Sequence, residues 1–332
     1  MPYQPIEDYG VIGNMRTAAL ISARGSIDWL CFPRFDSPSV FAALLDDEKG
    51  GRFSVHPVRD SVKYKQLYWP DTNVLVTRFL SHDGVAEVED FMPAGIAGYP
   101  EWHDRIVRRV RVVRGSVPLE VVCEPAFDYA QSRHVVSLYA KGAVFDSRRF
   151  SLSLATRLPL EPTERGVRGR FELNEGQHAT LVLSQTAPGI CVCPPPSEAE
   201  AEELFEATVS FWRHWLSHST YRGRWRETVH RSALTLKLLT YEPTGAIIAA
   251  PTCSLPERIG GPRNWDYRYA WIRDAAFTIY ALLRIGFREE AMGFMDFLEA
   301  RAEAEALRPG DEQPLQIVYG IDGRCELEER TL

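Results

Sequence analysis

Lysine is scarce in this chain: of its 38 basic residues only Lys49, Lys63, Lys65, Lys141 and Lys237 are lysines, and the arginines lie scattered among acids. With a formal net charge of −7 there is no concentrated basic stripe, which argues against a nucleic-acid backbone as the main partner. No run of 18 consecutive apolar residues occurs, and the N-terminal MPYQPIEDYG has no basic region leading into an apolar one. Neither a membrane span nor a secretory leader is therefore read, and a cytoplasmic location is expected. Six cysteines are too few for a disulfide scaffold, the C-V-C at 191–193 lacks the spacing of a zinc knuckle, and all six are expected as reduced thiols. A Gly-rich phosphate loop and an H-E-x-x-H pattern are both missing, so no cofactor and no metal is expected. His214 and His218 share a helical face at i, i+4, yet without a third ligand nearby they read as ordinary histidines.

What is present is the composition of a globular protein long enough for two domains: 332 residues, 45% hydrophobic and 25% charged. Up to about residue 193 the pattern is one of short strands. NVLVTRFL (73–80) and VAEVEDFM (85–92) flank the hairpin loop SHDG. RIVRRVRVVRG (105–115) is expected to end in a Gly-Ser-Val-Pro turn before LEVVCEPAFDY, and SLSLATRL and ATLVLSQTA repeat the theme. Many short strands with turn signals between them argue for an antiparallel sandwich. At Pro194, Pro195 and Pro196 the character changes. Ser197 and Glu200 then have the spacing of a capping box and open a connecting helix. A second helix is expected over about 225–241 with Trp225, Val229, Ala233 and Leu236 on one face. A third begins at Asp274, with Ala276, Ile279, Tyr280 and Leu283 as its stripe and Gly286 at C′, and a fourth covers about 288–307.

RNWDYRYAWIRD, residues 263–274, sets Trp265, Tyr267, Tyr269 and Trp271 two apart, the period of an extended segment, and runs into a helix for which Asp274 is the expected N-cap. One pair of rings is expected to pack inward and the other to line a cleft beside the helix terminus, whose N–H groups favour hydroxyl or anionic oxygens. Rings cover the apolar face of a pyranose, and an arginine fork with a carboxylate holds its hydroxyls, so Arg273 and Asp274 would complete a sugar site. The same residues fit a purely structural arrangement, in which Asp274 caps its helix, Arg273 pairs with Asp266 and the rings are core. A base-stacking platform fits the acidic chain poorly. Glu326, Glu328 and Glu329 read as a solvated charge run.

PTCSLPERIGGPRNWDYRYAWIRDAAFTIYALLRIGF (251–287), PIEDYGVIGNMRTAALISARGSIDWLCFPRFDSPSVFAALLD (5–46) and QIVYGIDGR (316–324) resemble the bacterial members of the glucoamylase-type glycoside hydrolase family 15, which include glucoamylases, glucodextranases and trehalases. The resemblance implies a two-domain β + α fold: an N-terminal antiparallel super-β-sandwich over 1–193, a linker helix over 194–222 and, over 223–332, the first part of an (α/α)6 barrel. It implies an α-glucoside substrate (maltose, dextrin or trehalose), cleaved with inversion, and places Tyr267, Trp271, Arg273 and Asp274 in the wall of the subsite for the terminal glucose. Inversion needs two carboxyl groups about 6.5–9.5 Å apart, one acid and one base.

Twelve helices of about 12 residues with connections of about 5 need roughly 200 residues, whereas 110 run from Gly223 to Leu332. The barrel is accordingly expected to be incomplete, both family glutamates to be missing, and the chain to be a fragment inactive by itself; no catalytic residue is assigned. Two other classes are kept open: a non-catalytic carbohydrate-binding or degenerate protein, and a sugar phosphorylase with a phosphate site in place of the base.

Overall fold

A computed structural model describes residues 3–59, 61–96, 102–148, 150–187, 192, 194–253, 258, 261, 263–306 and 315–329. Contacts divide the chain into two units. One comprises Met1–Asn14, Ala19–Pro33 and Ser37–Arg213; the other comprises Met15–Ala18, Arg34–Asp36 and His214–Leu332.

Among the described residues, fifteen strands join in one sheet. The first five are β1 (Tyr9–Gly13), β2 (Ala18–Ser22), β3 (Ser26–Cys31), β4 (Ser39–Phe41) and β5 (Arg52–Pro57). Next come β6 (Lys63–Tyr68), β7 (Leu75–Leu80), β8 (Gly84–Phe91), β9 (Arg105–Glu124) and β10 (His134–Tyr139). The set closes with β11 (Gly142–Ser147), β12 (Ser151–Thr156), β13 (Glu161–Pro162), β14 (Val167–Asn174) and β15 (His178–Thr186). The order is β1-β2-β3-β5-β9-β15-β12-β11-β10, with β4 on β3, the hairpin series β6-β7-β8 on β9, and β14 between β9 and β13.

Strand β9 explains how one sheet makes two layers. Its first half pairs with β8 and β15, and its second half with β5 and β14. The hand-over falls at Gly115, whose φ of +74° only glycine adopts cheaply. A Cβ there would run into the Asp83 carbonyl. The expected turn at Gly115–Pro118 is thus a bend inside a 20-residue strand, because the pairing of both halves offsets the cost of continuing through it.

Ile21, Ile27, Phe53, Val55, Leu119 and Val121 from one layer meet Phe79, Val88, Val110, Phe145, Leu154 and Leu183 from the other in a single core. The other face of the β9–β15 layer is covered by helix α1 (Glu198–Ser217), whose Leu204, Phe205 and Val209 pack on Val74, Phe91, Val107 and Val182. Burial on both faces is why residues 105–112 do not alternate cleanly. Across the core Arg108 donates Nε to Asp90 (2.7 Å), Nη1 to the Phe53 carbonyl (2.6 Å) and Nη2 to the Gly25 carbonyl (2.7 Å). Both charges are fully buried. The capping box forms as expected, with Ser197 N–H donating to Glu200 Oε2 (2.7 Å) and Glu200 N–H to Ser197 Oγ (3.3 Å).

The second unit contains helices α2 (Arg226–Leu238), α3 (Ile272–Arg284) and α4 (Glu289–Ala306), and the two-stranded pair β16 (Ala270–Trp271) and β17 (Val318–Tyr319). Its centre is Glu290, which accepts from Trp215 Nε1 (2.7 Å) and Lys237 Nζ (2.8 Å) while Trp215 stacks on Phe287 at 4.0 Å. Burial works to raise the Glu290 pKa, but Lys237 and the hydrogen bonds outweigh it and hold the carboxyl below its usual range. On α2 the buried face is His230, Ala233, Leu234 and Leu238, while Trp225 is 61% exposed. On α3 the inward residues are Ala275 and Leu282; Tyr280 and Leu283 of the expected stripe face outward, as does Phe277. A helix with two apolar stripes has the same period on both, so the spacing alone picked the wrong one.

Cys31, Cys123, Cys253 and Cys325 are thiols; Cys191 and Cys193 lie outside the described residues. Among the described residues no helix is long and apolar enough to cross a membrane. His214 and His218 meet edge to face, ring centroids 5.1 Å apart, and His218 Nδ1 contacts the Trp215 carbonyl at 3.1 Å.

Candidate functional site

The stretch 263–274 is tied down from both sides by backbone pairing. Ala249 N–H donates to the Tyr269 carbonyl (3.2 Å) and Ala250 N–H to that of Tyr267 (2.8 Å). On the far side Ala270 pairs with Tyr319 and Trp271 with Val318, and Ile272 N–H donates to the Ile317 carbonyl (3.1 Å). The residues aimed inward are Arg268 and Ala270, 5% and 1% exposed. Arg268 grips Asp266 with Nε (3.0 Å) and Nη2 (2.6 Å) and reaches the Phe35 carbonyl with Nη1 (3.4 Å).

This inverts part of the expectation. Arg268 and Ala270, not a pair of rings, fill the inside, the chain bends at Arg268–Tyr269, and Trp265, Tyr267 and Trp271 gather in one cluster. Trp271 lies edge-on to Trp265 (6.0 Å) and tilted against Tyr267 (5.7 Å). Its indole N–H donates to the Asp266 carbonyl (3.0 Å). None of the four rings is fully buried, and Trp265 is 38% exposed.

Asp274 does not cap α3. Trp271 occupies that position with extended backbone and no side-chain cap bond, and Asp274 is the third helical residue, in the first turn. Its partner is Arg273, whose Nε (3.2 Å) and Nη2 (3.0 Å) both donate to Asp274 Oδ2. The Arg273 guanidinium also stands 5.9 Å from the Trp271 ring centre. Arg273 does not pair with Asp266, which Arg268 occupies. Tyr267, Trp271, Arg273 and Asp274 are therefore brought together as an aromatic face with an exposed ion pair at its end, in the first turn of α3. Such a surface covers an apolar ring and donates to and accepts from its hydroxyls.

Residues outside that stretch complete the neighbourhood. The turn Gly320–Arg324, closed by Gly320 N–H to the Arg324 carbonyl (2.8 Å), follows β17. Arg324 Nη1 donates to Asp322 Oδ1 and Oδ2 (3.0 and 2.8 Å) and to Asp36 Oδ2 (2.7 Å). Arg34 donates Nε and Nη2 to Asp36 (3.0 and 2.8 Å), and Nη2 to Asp322 (3.1 Å). Four side chains thus close a ring of alternating charge between Tyr241, under Arg34, and Tyr269, under Arg324. Partial burial works to raise the Asp322 pKa, but the two arginines outweigh it and hold the carboxyl below its usual range. Nothing read from the sequence pointed to this ring; its trace is the mirrored spacing of R-F-D at 34–36 and D-G-R at 322–324. Glu326, Glu328 and Glu329 follow in irregular, exposed chain.

Residues 2–150 match the family described as trehalase-like, N-terminal, and residues 223–331 match glycosyl hydrolases family 15. A trehalase of Mycolicibacterium smegmatis is 37% identical over 100% of this chain and 52% of its own length. A trehalase of Thermoplasma volcanium is 35% identical over 99% of this chain and 52% of its own, and trehalase 1 of Sulfolobus acidocaldarius 36% identical over 95% and 51%. The chain spans about half the length of the curated relatives it matches.

Proposed function

The chain belongs to glycosyl hydrolases family 15 through residues 223–331, behind a trehalase-like N-terminal domain over residues 2–150, and from that premise we propose that it is the α-glucoside-recognising portion of a hydrolase that releases glucose, with trehalose as the substrate. In this reading residues 1–193 are the sandwich domain, 194–222 the linker helix and 223–332 the opening of an (α/α)6 catalytic barrel. Tyr267 and Trp271 cover the terminal glucose, and Arg273 and Asp274 hold its hydroxyls. The observation that carries the reading is the gathering of Trp265, Tyr267 and Trp271 on one face with the Arg273–Asp274 pair at the start of α3.

Turnover asks for more than this wall. An inverting hydrolase needs one carboxyl group kept protonated and a second free to activate water on the opposite side of the sugar. Asp274 already holds Arg273 and Asp266 holds Arg268, so neither carboxylate of this wall is assigned as the acid or the base. The chain is therefore expected to bind α-glucosides and not to cleave them. Saturation-transfer NMR with glucose, trehalose and a β-linked disaccharide, alongside a glucose-release assay, tests both halves. Transfer to the α-glucosides with no glucose released supports the reading; release of glucose refutes the second half, and equal transfer from the β-linked sugar refutes the first.

A further inference from the structure

The ring of Arg34, Asp36, Asp322 and Arg324 has no part in the sugar wall as described. Exposed ion pairs contribute little to stability, and three of the four side chains are 36–39% exposed. Asp36 differs: it is 3% exposed, with both oxygens held by guanidinium groups. It anchors the ring from below.

The geometry of Arg324 shows where the anchoring leads. Its bonds to Asp36 and Asp322 run through Nη1, while its guanidinium lies 5.5 Å over the Tyr269 ring. Tyr269 sits between Tyr267 and Trp271 in sequence, in the segment that β17 holds from the other side. Gly320, at the start of the turn, leaves room for this packing, since a Cβ there would come within 2.6 Å of Arg324 Cγ. The backbone at 267–271 is thus held by pairing with 249–250 and 318–319, and its one ring outside the Trp271 cluster is clamped by Arg324, which Asp36 fixes in turn.

We propose that this charge ring is a positioning device for sugar recognition: Asp36, through Arg324 and Tyr269, sets the Tyr267–Trp271 face and the adjoining Arg273–Asp274 pair at the spacing a glucose ring requires. The proposal rests on the sugar reading above, and names residues from the first 40 positions of the chain as part of that site's support. Asp36 and Arg324 act through other groups and touch no substrate.

The test is a glucose titration of the full chain followed by tryptophan fluorescence, for wild type, Asp36→Asn, Arg324→Lys and Trp271→Ala, with the thermal midpoint of each recorded by circular dichroism. Arg324→Lys keeps the charge but removes the plane over Tyr269, so a merely structural ion pair would tolerate it. The positioning role gives a Kd raised about tenfold in both ring variants, with midpoints close to wild type. An unchanged Kd in both ring variants, while Trp271→Ala abolishes the signal, overturns the device and leaves the sugar site standing. The absence of any saturable signal in wild type overturns the sugar reading and the device with it.

Discussion

Replacing Asp274 by asparagine separates recognition from folding, because the structure gives the carboxylate little to do for the helix. It lies in the first turn of α3, 34% exposed, at 3.0 Å from an Arg273 that is itself 67% exposed. A negative charge in the first turn is worth about 0.3–1 kcal/mol, and an exposed pair about 0–1 kcal/mol. The larger capping contribution of about 1 kcal/mol does not arise, since no side-chain cap bond is made. Asp274→Asn should therefore lower stability by about 1 kcal/mol, a shift of a few degrees in Tm. A sugar hydroxyl held by the carboxylate is a charge-assisted hydrogen bond worth about 1.5–3 kcal/mol, so Kd should rise roughly 10- to 150-fold. Thermal melting by circular dichroism and glucose titration by tryptophan fluorescence read the two quantities on one sample. A large fall in Tm with an unchanged Kd would refute the reasoning, since it would make Asp274 a structural residue.

Buried charges in the two units set the remaining expectations. Asp90→Ala strands Arg108 inside the sandwich with its carbonyl partners but no counter-ion, and should cost about 3–5 kcal/mol, read as a lowered midpoint in urea denaturation; a loss below about 1 kcal/mol, the range of an exposed pair, would show that the pair is dispensable. Glu290→Gln should destabilise the helical unit at neutral pH by about 3 kcal/mol. Because the folded pKa of Glu290 is lowered, its contribution is present above the unfolded value of about 4.3 and fades as pH falls through the folded one. The gap in Tm between wild type and variant should thus be widest near pH 7 and close in acid; a gap that widens in acid contradicts the assignment.

Much of the architecture was legible because it is written in local chemistry. The hairpin at Ser81–Gly84, the capping box at Ser197 and Glu200, and Gly286 after α3 with φ +103° each follow from a few neighbouring residues. The bend of β9 was not, since Gly115 and Pro118 look like a turn until both halves of the strand have partners. The orientation of α3 failed for a related reason: its period is right, and which stripe is buried depends on α2 and α4. Within the candidate site, Trp271 and Asp274 stand out by residue type and spacing, but the side on which the rings gather and the first-turn place of Asp274 needed the backbone. The charge ring was invisible to any window, as the two pairs that close it, Arg34–Asp322 and Arg324–Asp36, join residues 288 apart in sequence.

The most direct measurement is a crystal structure of the chain soaked with glucose. The expected result is a pyranose lying against Tyr267 and Trp271 with its hydroxyls on Arg273 and Asp274. A sugar ordered elsewhere, or an aromatic face left bare at saturating glucose, would contradict the sugar reading of this surface.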